Sequence, residues 1–230
     1  MKLNNMNEKK QYTMFDLKML NEDVWYWENV ISSPENLIET LEYLDTKEIS
    51  YERIPKWKDW LSSAEDKHHY GSVKKFEKEK FYISSGDEMI DKQSLYIINS
   101  FIMAVEMCWN QYVKEKKINS DDYFCQSEAL ILKKFLPNQH MGPHFDGQGG
   151  DHTLAFTLII YPNDDYEGGE LVFPNHDINI KPKAGSLIIF PAQMPYIHQV
   201  LEIKNKPRYI LTALVIKKDE YGKILHLSFE

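Results

Sequence analysis

The chain has 230 residues, 43% of them hydrophobic and 27% charged, with a formal net charge of −8 and a pI near 5.5. This is the composition of a globular domain and not of a disordered chain. The acidic balance argues against general nucleic-acid binding, which needs a basic face to neutralise phosphates.

Met1 to Lys10 is polar and lacks the apolar core of a signal peptide. No run approaches the roughly 18 apolar residues of a membrane span. Two cysteines, Cys108 and Cys125, are too few for a disulfide framework, and Cys108 falls in an apolar helical stretch that suits a buried thiol. The expectation is a soluble chain in a reducing, cytoplasmic setting, with no nucleic acid and no membrane among its partners. The sequence assigns no oligomeric state.

Val24 to Val30 is aromatic and β-branched and predicts a strand. Ser32-Ser33-Pro34-Glu35 is a helix start, and Leu37, Ile38, Leu41 and Leu44 follow with helical spacing to about Lys47. Ser50 to Gly86 shows no dominant period; it reads as a strand with long surface loops, or as a flap whose Trp57, Trp60 and Tyr70 contact substrate. Ser94 to Lys117 predicts a helix with an apolar stripe of Leu95, Ile98, Ile102, Val105, Trp109 and Tyr112. Lysines in its last turn suit the helix dipole.

Beyond this helix the chain turns to short strands: Ala129 to Leu132, Leu154 to Tyr161, Glu170 to Phe173, Ser186 to Phe190, Ile197 to Leu201 and Arg208 to Ile216. Glycines, prolines and aspartates separate them. The pattern predicts an α+β fold in which early helices pack on one face of a sandwich or jelly roll.

Two residues apart in Gln139 to Asp151 stand His144 and Asp146. On an extended strand such a pair shares one face. With one distant histidine they make a 2-His-1-carboxylate triad, which binds Fe(II) and leaves positions open. His152, His176, His198 and His226 are the later candidates. His198 alternates with apolar residues in Tyr196-Ile197-His198-Gln199-Val200, so it should face the interior, and Arg208 follows it by ten residues.

His144-x-Asp146, His198 and Arg208 in this order resemble the Fe(II)- and 2-oxoglutarate-dependent dioxygenases, most closely the prolyl 4-hydroxylase branch. Phe135 to Asp146, Thr157-x-x-x-Tyr161-Pro162-Asn163, Glu167-Gly168-Gly169-Glu170-Leu171-Val172-Phe173-Pro174, Pro182-x-Ala184-Gly185-Ser186 and Arg208-Tyr209-x-x-Thr212 resemble the flanking motifs of that branch. The match covers roughly Ala129 to Lys217. The chain departs from the family at His152, where arginine is frequent, at Leu214, where tryptophan is frequent near the substrate entrance, and at Pro162, where leucine is usual.

The resemblance implies a double-stranded β-helix, or jelly-roll, core with N-terminal supporting helices. Residues 1–230 would form one dioxygenase domain: a helical and loop-rich part over 1–125 and the core over about 126–217. It implies Fe(II) on His144, Asp146 and His198. It implies 2-oxoglutarate held by Arg208, whose planar fork suits a carboxylate. Tyr161 would donate to the same carboxylate, and Thr212 would support the metal's carboxylate or the cosubstrate. O2 would be the second cosubstrate, with ascorbate as a reductant. The implied partner is a protein or peptide bearing a target proline. Hydroxylation of another amino-acid side chain or of a small molecule stays open, as does a catalytically silent jelly-roll binding module.

Overall fold

The computed structural model describes residues 15–45, 58–61, 70–77, 88–127, 129–147 and 153–223. In chain order the elements are β1 (Asp16–Met19), β2 (Trp25–Glu28), α1 (Glu35–Asp45), β3 (Lys58–Leu61), β4 (Tyr70–Glu77), α2 (Glu88–Lys116), β5 (Tyr123–Cys125) and β6 (Ala129–Phe135). There follow β7 (Met141–His144), β8 (Leu154–Tyr161), β9 (Glu167–Gly168), β10 (Leu171–Phe173), β11 (Ile178–Ile180), β12 (Ser186–Pro191), β13 (His198–Val200), β14 (Ile203–Lys204) and β15 (Arg208–Lys217).

Among the described residues these strands form three sheets. The largest has the order β1-β2-β12-β8-β15-β6-β4-β3, with β5 also paired to β15. A four-stranded sheet runs β11-β10-β13-β7, and β14 pairs with β9. All these pairings are antiparallel.

The large sheet is covered on both faces, and its strands show why. Side chains alternate along a strand, so one register feeds two cores. Trp25, Trp27, Leu158, Ile160, Leu187, Ile189, Leu211, Ala213 and Val215 pack on one side with Leu37 of α1 and Ile98, Phe101, Val105, Cys108 and Tyr112 of α2. Tyr26, Ile159, Tyr161, Ile188, Phe190 and Ile210 point the other way, onto Met141, Leu171, Phe173, Ile178 and Val200 of the four-stranded sheet. That is why Leu154 to Tyr161 and Arg208 to Ile216 read as nearly continuous apolar runs.

The predicted helices and the six later strands are present. α2 begins at Glu88, ahead of the expected Ser94. It ends in a paired-bond cap: Lys117 adopts a left-handed φ of 56°, its N–H reaches Lys114 O at 3.3 Å, and the Ile118 N–H reaches Val113 O at 2.9 Å. Glycine is usual at that position; here Ile118 packs against the core and holds the turn. Three differences matter. β1 extends the sheet edge from Asp16–Met19, a stretch for which the sequence pattern predicts no element. Much of Ser50 to Gly86 lies outside the described residues, but β3 and β4 form a hairpin paired through β4 to β6. The short β7 escaped the sequence pattern because Gly142 and Pro143 break any strand signal.

Gly185 locks the N-terminal layer to the sheet. Its carbonyl accepts from the Val30 N–H at 2.8 Å and its own N–H reaches Tyr161 O at 2.8 Å. Its φ is +75°, and a Cβ there would sit 2.5 Å from the Ile31 carbonyl oxygen. Gly185→Ala should therefore destabilise the fold by at least about 1–3 kcal/mol, read as a lowered urea midpoint with an unchanged slope.

Candidate active site

Two strands of the small sheet carry the histidines. His144 ends β7, His198 begins β13, and the two are direct cross-strand partners. Their ring centroids lie 4.3 Å apart. Asp146 lies just past the end of β7, not on an extended strand as the two-residue spacing suggested. The turn still returns its carboxylate to the histidines: Oδ1 lies 3.5 Å from His144 Nε2 and 3.7 Å from His198 Nε2. One ligand atom from each of the three lies within 4.8 Å of the others. This is room for one ion held by two nitrogens and an oxygen.

The ligands are aimed by their surroundings. His144 Nδ1 lies 2.9 Å from Gly142 O, and His198 Nδ1 lies 3.2 Å from Tyr196 O. A carbonyl can only accept, so each Nδ1 carries the proton and each Nε2 turns a lone pair toward Asp146. Thr157 Oγ1 donates to Asp146 Oδ2 at 2.5 Å. Phe190 and Phe173 wall the His198 ring at 4.7 and 5.4 Å between centroids.

Electrostatics favour the metal-ready protonation state. Burial lowers the His198 pKa to about 4, against a partial pull upward from Asp146. Burial alone would raise the Asp146 carboxyl, but His198, His144 and Lys133 outweigh it and hold it below its usual range. Neutral imidazole and ionised carboxylate are the forms that bind a metal. Lys133 shares the inner face of β6 with Phe135; burial lowers its ammonium, Asp146 opposes and Arg208 reinforces.

Arg208 occupies the same inner face of the large sheet as Ile210 and Thr212. It is 0% exposed, and Nε, Nη1 and Nη2 have no hydrogen-bond partner among the described residues. Its Cζ lies 5.4 Å from the Tyr161 ring centroid and 5.6 Å from that of Phe135. The hydroxyls of Tyr161, Tyr166 and Thr212 are also buried without a partner. Buried polar groups in native proteins are almost always paired, and a buried cation calls for an anion. This cluster could hold a carboxylate.

The structure thus gathers His144, Asp146 and His198 into one cluster at the small sheet and places Arg208, Tyr161 and Thr212 on the inner face of the large sheet. The hydroxyl on the Asp146 carboxylate is that of Thr157, whereas Thr212 Oγ1 touches no partner. Thr157 stands four residues before Tyr161 on β8, so strand alternation could have placed both on one face. Tyr166 carries no comparable sequence signal. His176 stacks on Tyr196 at 4.4 Å instead of joining the cluster. His152 and His226 lie outside the described residues.

A family model for the 2OG-Fe(II) oxygenase superfamily matches residues 130–215, which span this entire cluster. Over this stretch the chain is similar to that superfamily. A PKHD-type hydroxylase of Prochlorococcus marinus (strain MIT 9515) is 36% identical over 92 residues, 38% of this chain and 41% of the relative. Another from strain NATL2A is 28% identical over 160 residues, covering 67% and 66%. The chain therefore matches about two-fifths of the length of the first of these curated relatives.

Among solved structures, a Pseudomonas putida prolyl-4-hydroxylase aligns with a TM-score of 0.55 at 15% identity, covering 85% of this chain and 93% of that one. A Trichoplax adhaerens prolyl hydroxylase, solved with a hypoxia inducible factor peptide fragment, gives 0.58 at 14%, covering 87% and 85%. At such identities the likeness concerns the fold. None of the described helices is long and apolar enough to cross a membrane.

Two measurements test the site. In the metal-free protein, His198 is protonated more easily when unfolded, so it contributes stability that is full above its ordinary pKa of 6.5 and is lost as pH falls toward 4. His198→Gln should remove that part of the pH dependence of the urea midpoint. Thr157→Val should weaken metal binding or turnover about 10- to 100-fold, as loss of an outer partner does, with the fold retained by circular dichroism.

Proposed function

We propose that residues 1–230 act as a single 2-oxoglutarate- and Fe(II)-dependent hydroxylase domain, the two facing sheets forming a jelly-roll core with helices behind it. His144, Asp146 and His198 hold the iron. Arg208, assisted by Tyr161, holds the distal carboxylate of 2-oxoglutarate. The observation that carries this reading is the pairing of two halves in one interior: a preformed nitrogen, nitrogen, oxygen triad and a fully buried guanidinium with no hydrogen-bond partner among the described residues. Either half alone has other uses; together they match the two requirements of this chemistry.

Fe(II), 2-oxoglutarate and O2, when bound, supply the oxidation: the cosubstrate becomes succinate and CO2, and one oxygen atom enters the substrate. The protein's own contribution is arrangement. His144, Asp146 and His198 would hold the ion, and a triad of this kind leaves coordination positions open for cosubstrate and oxygen. Gly142 O and Tyr196 O fix the imidazoles, and Thr157 fixes the carboxylate. Phe173 and Phe190 keep the His198 side of the site apolar. The guanidinium fork would receive the distal carboxylate through two parallel hydrogen bonds and so orient the cosubstrate.

The substrate reading is a prolyl residue in a protein or peptide. It is supported by the fold shared with the P. putida and T. adhaerens enzymes, the latter solved with a peptide. Leu214, where the family often has tryptophan, is cross-strand to Thr157 and packs with Leu154 and Ala192; it is a smaller apolar side chain beside the threonine that bonds Asp146.

Purified protein supplied with Fe(II), 2-oxoglutarate, ascorbate and a library of proline-containing peptides should form succinate and add one oxygen to a peptide, read by mass spectrometry. His144→Ala should reduce both to background. Succinate no greater than in that variant, with or without peptide, would refute the hydroxylase reading. Oxygen gained only by lysyl peptides or by free amino acids would move the substrate class and leave the chemistry standing.

A further inference from the structure

We infer that Tyr166 is a second phenol of the cosubstrate site, placed beside Arg208 to donate its hydroxyl to the distal carboxylate of 2-oxoglutarate. The inference rests on the function proposed above and deepens it. Tyr166 sits between β8 and β9, outside the strands that carry the other site residues. It is 3% exposed, and its hydroxyl is buried with no hydrogen-bond partner among the described residues.

Its position next to Arg208 follows from Gly169. A Cβ built at Gly169 would lie 2.9 Å from Tyr166 Cε2 and 3.2 Å from Arg208 Cδ. The ring and the arginine stem therefore meet over a residue that must have no side chain. Lys181 fixes the ring from its face: Nζ lies 3.5 Å from the ring centroid, donates to Tyr166 O at 2.9 Å and also donates to Gly168 O. Burial raises the phenol's pKa while Arg208 draws it down, as expected for a neutral O–H donor beside a guanidinium.

Arg208 is thus flanked by two phenols. The Tyr161 ring lies 5.4 Å from Cζ, and the Tyr166 ring adjoins its stem. Both hydroxyls and the three guanidinium nitrogens are unpaired in the same interior. A carboxylate offers about four acceptor positions to such donors. Leaving a buried hydroxyl unmatched is costly, and the cost disappears when an acceptor arrives. Tyr161 and Tyr166 approach from different elements, so the carboxylate is gripped around the arginine and not only along its fork.

The test uses the full chain loaded with Mn(II), with calorimetry and thermal melting as readouts. Two ketoacids are compared: 2-oxoglutarate, and 2-oxobutyrate, which keeps the chelating end and lacks the distal carboxylate. Tyr166→Phe should leave the Mn(II) affinity unchanged and the unliganded melting temperature equal or higher, since an unmatched hydroxyl is removed. Its 2-oxoglutarate affinity should fall about 5- to 20-fold, the range of one hydrogen bond to a charged group, while 2-oxobutyrate binding is unchanged. Lys181→Gln, which releases the ring and spares the hydroxyl, should lose 2-oxoglutarate affinity by a smaller factor. Unaltered 2-oxoglutarate affinity in Tyr166→Phe, or an equal loss for both ketoacids, overturns the inference and leaves the proposed function intact. If the parent chain binds 2-oxobutyrate and 2-oxoglutarate equally, or neither, the cosubstrate reading itself falls.

Discussion

The central strand Arg208–Lys217 has to be buried on both faces, and much of the architecture follows from that. Its residues from Arg208 to Ile216 are buried, with large-sheet partners on each side. One face requires an apolar cover, which α1 and α2 supply. The other faces the small sheet, and there the alternation places Arg208, Ile210, Thr212 and Leu214 in the interior. A cation at such a position is acceptable only where an anion is expected. The packing that stabilises the sheet also buries the Arg208 guanidinium completely, where a charged hydrogen bond would be strong.

The small sheet performs a different task. It is short, and its registration of His198 opposite His144 is the step that converts two distant histidines into a pair. Backbone carbonyls then set both tautomers, and a threonine from the large sheet closes on the aspartate. Each of the three side chains is therefore held by a group from beyond the cluster.

Among the described residues, Asp23 links the N-terminal layer to the site. Asp23 pairs with Lys116 of α2 at 2.7 Å and accepts from the Tyr196 hydroxyl. Tyr196 in turn offers its carbonyl to His198 Nδ1. Tyr112 of α2 donates to Asp23 O at 3.0 Å. The helices thus do more than cover apolar surface; they anchor the loop that precedes a candidate ligand. His176, stacked on Tyr196, adds an aromatic cover to that loop.

The sequence by itself determined the helix stripe of α2, the six apolar strands after it and the ordered set His144, Asp146, His198 and Arg208. These are legible because periodicity and residue type are local properties, and several motifs in one order constrain each other. Tertiary structure decided what depends on partners distant in sequence. It gave Asp146 its place in a turn, chose Thr157 as the hydroxyl on its carboxylate, and brought Tyr166 beside Arg208 over Gly169. It also added β1 and the β3–β4 hairpin to the sheet edges. Short strands carry too few residues to show a period, and a loop tyrosine has no pattern of its own. Such residues acquire a role only when sheet registry and close packing bring separate segments within hydrogen-bonding reach.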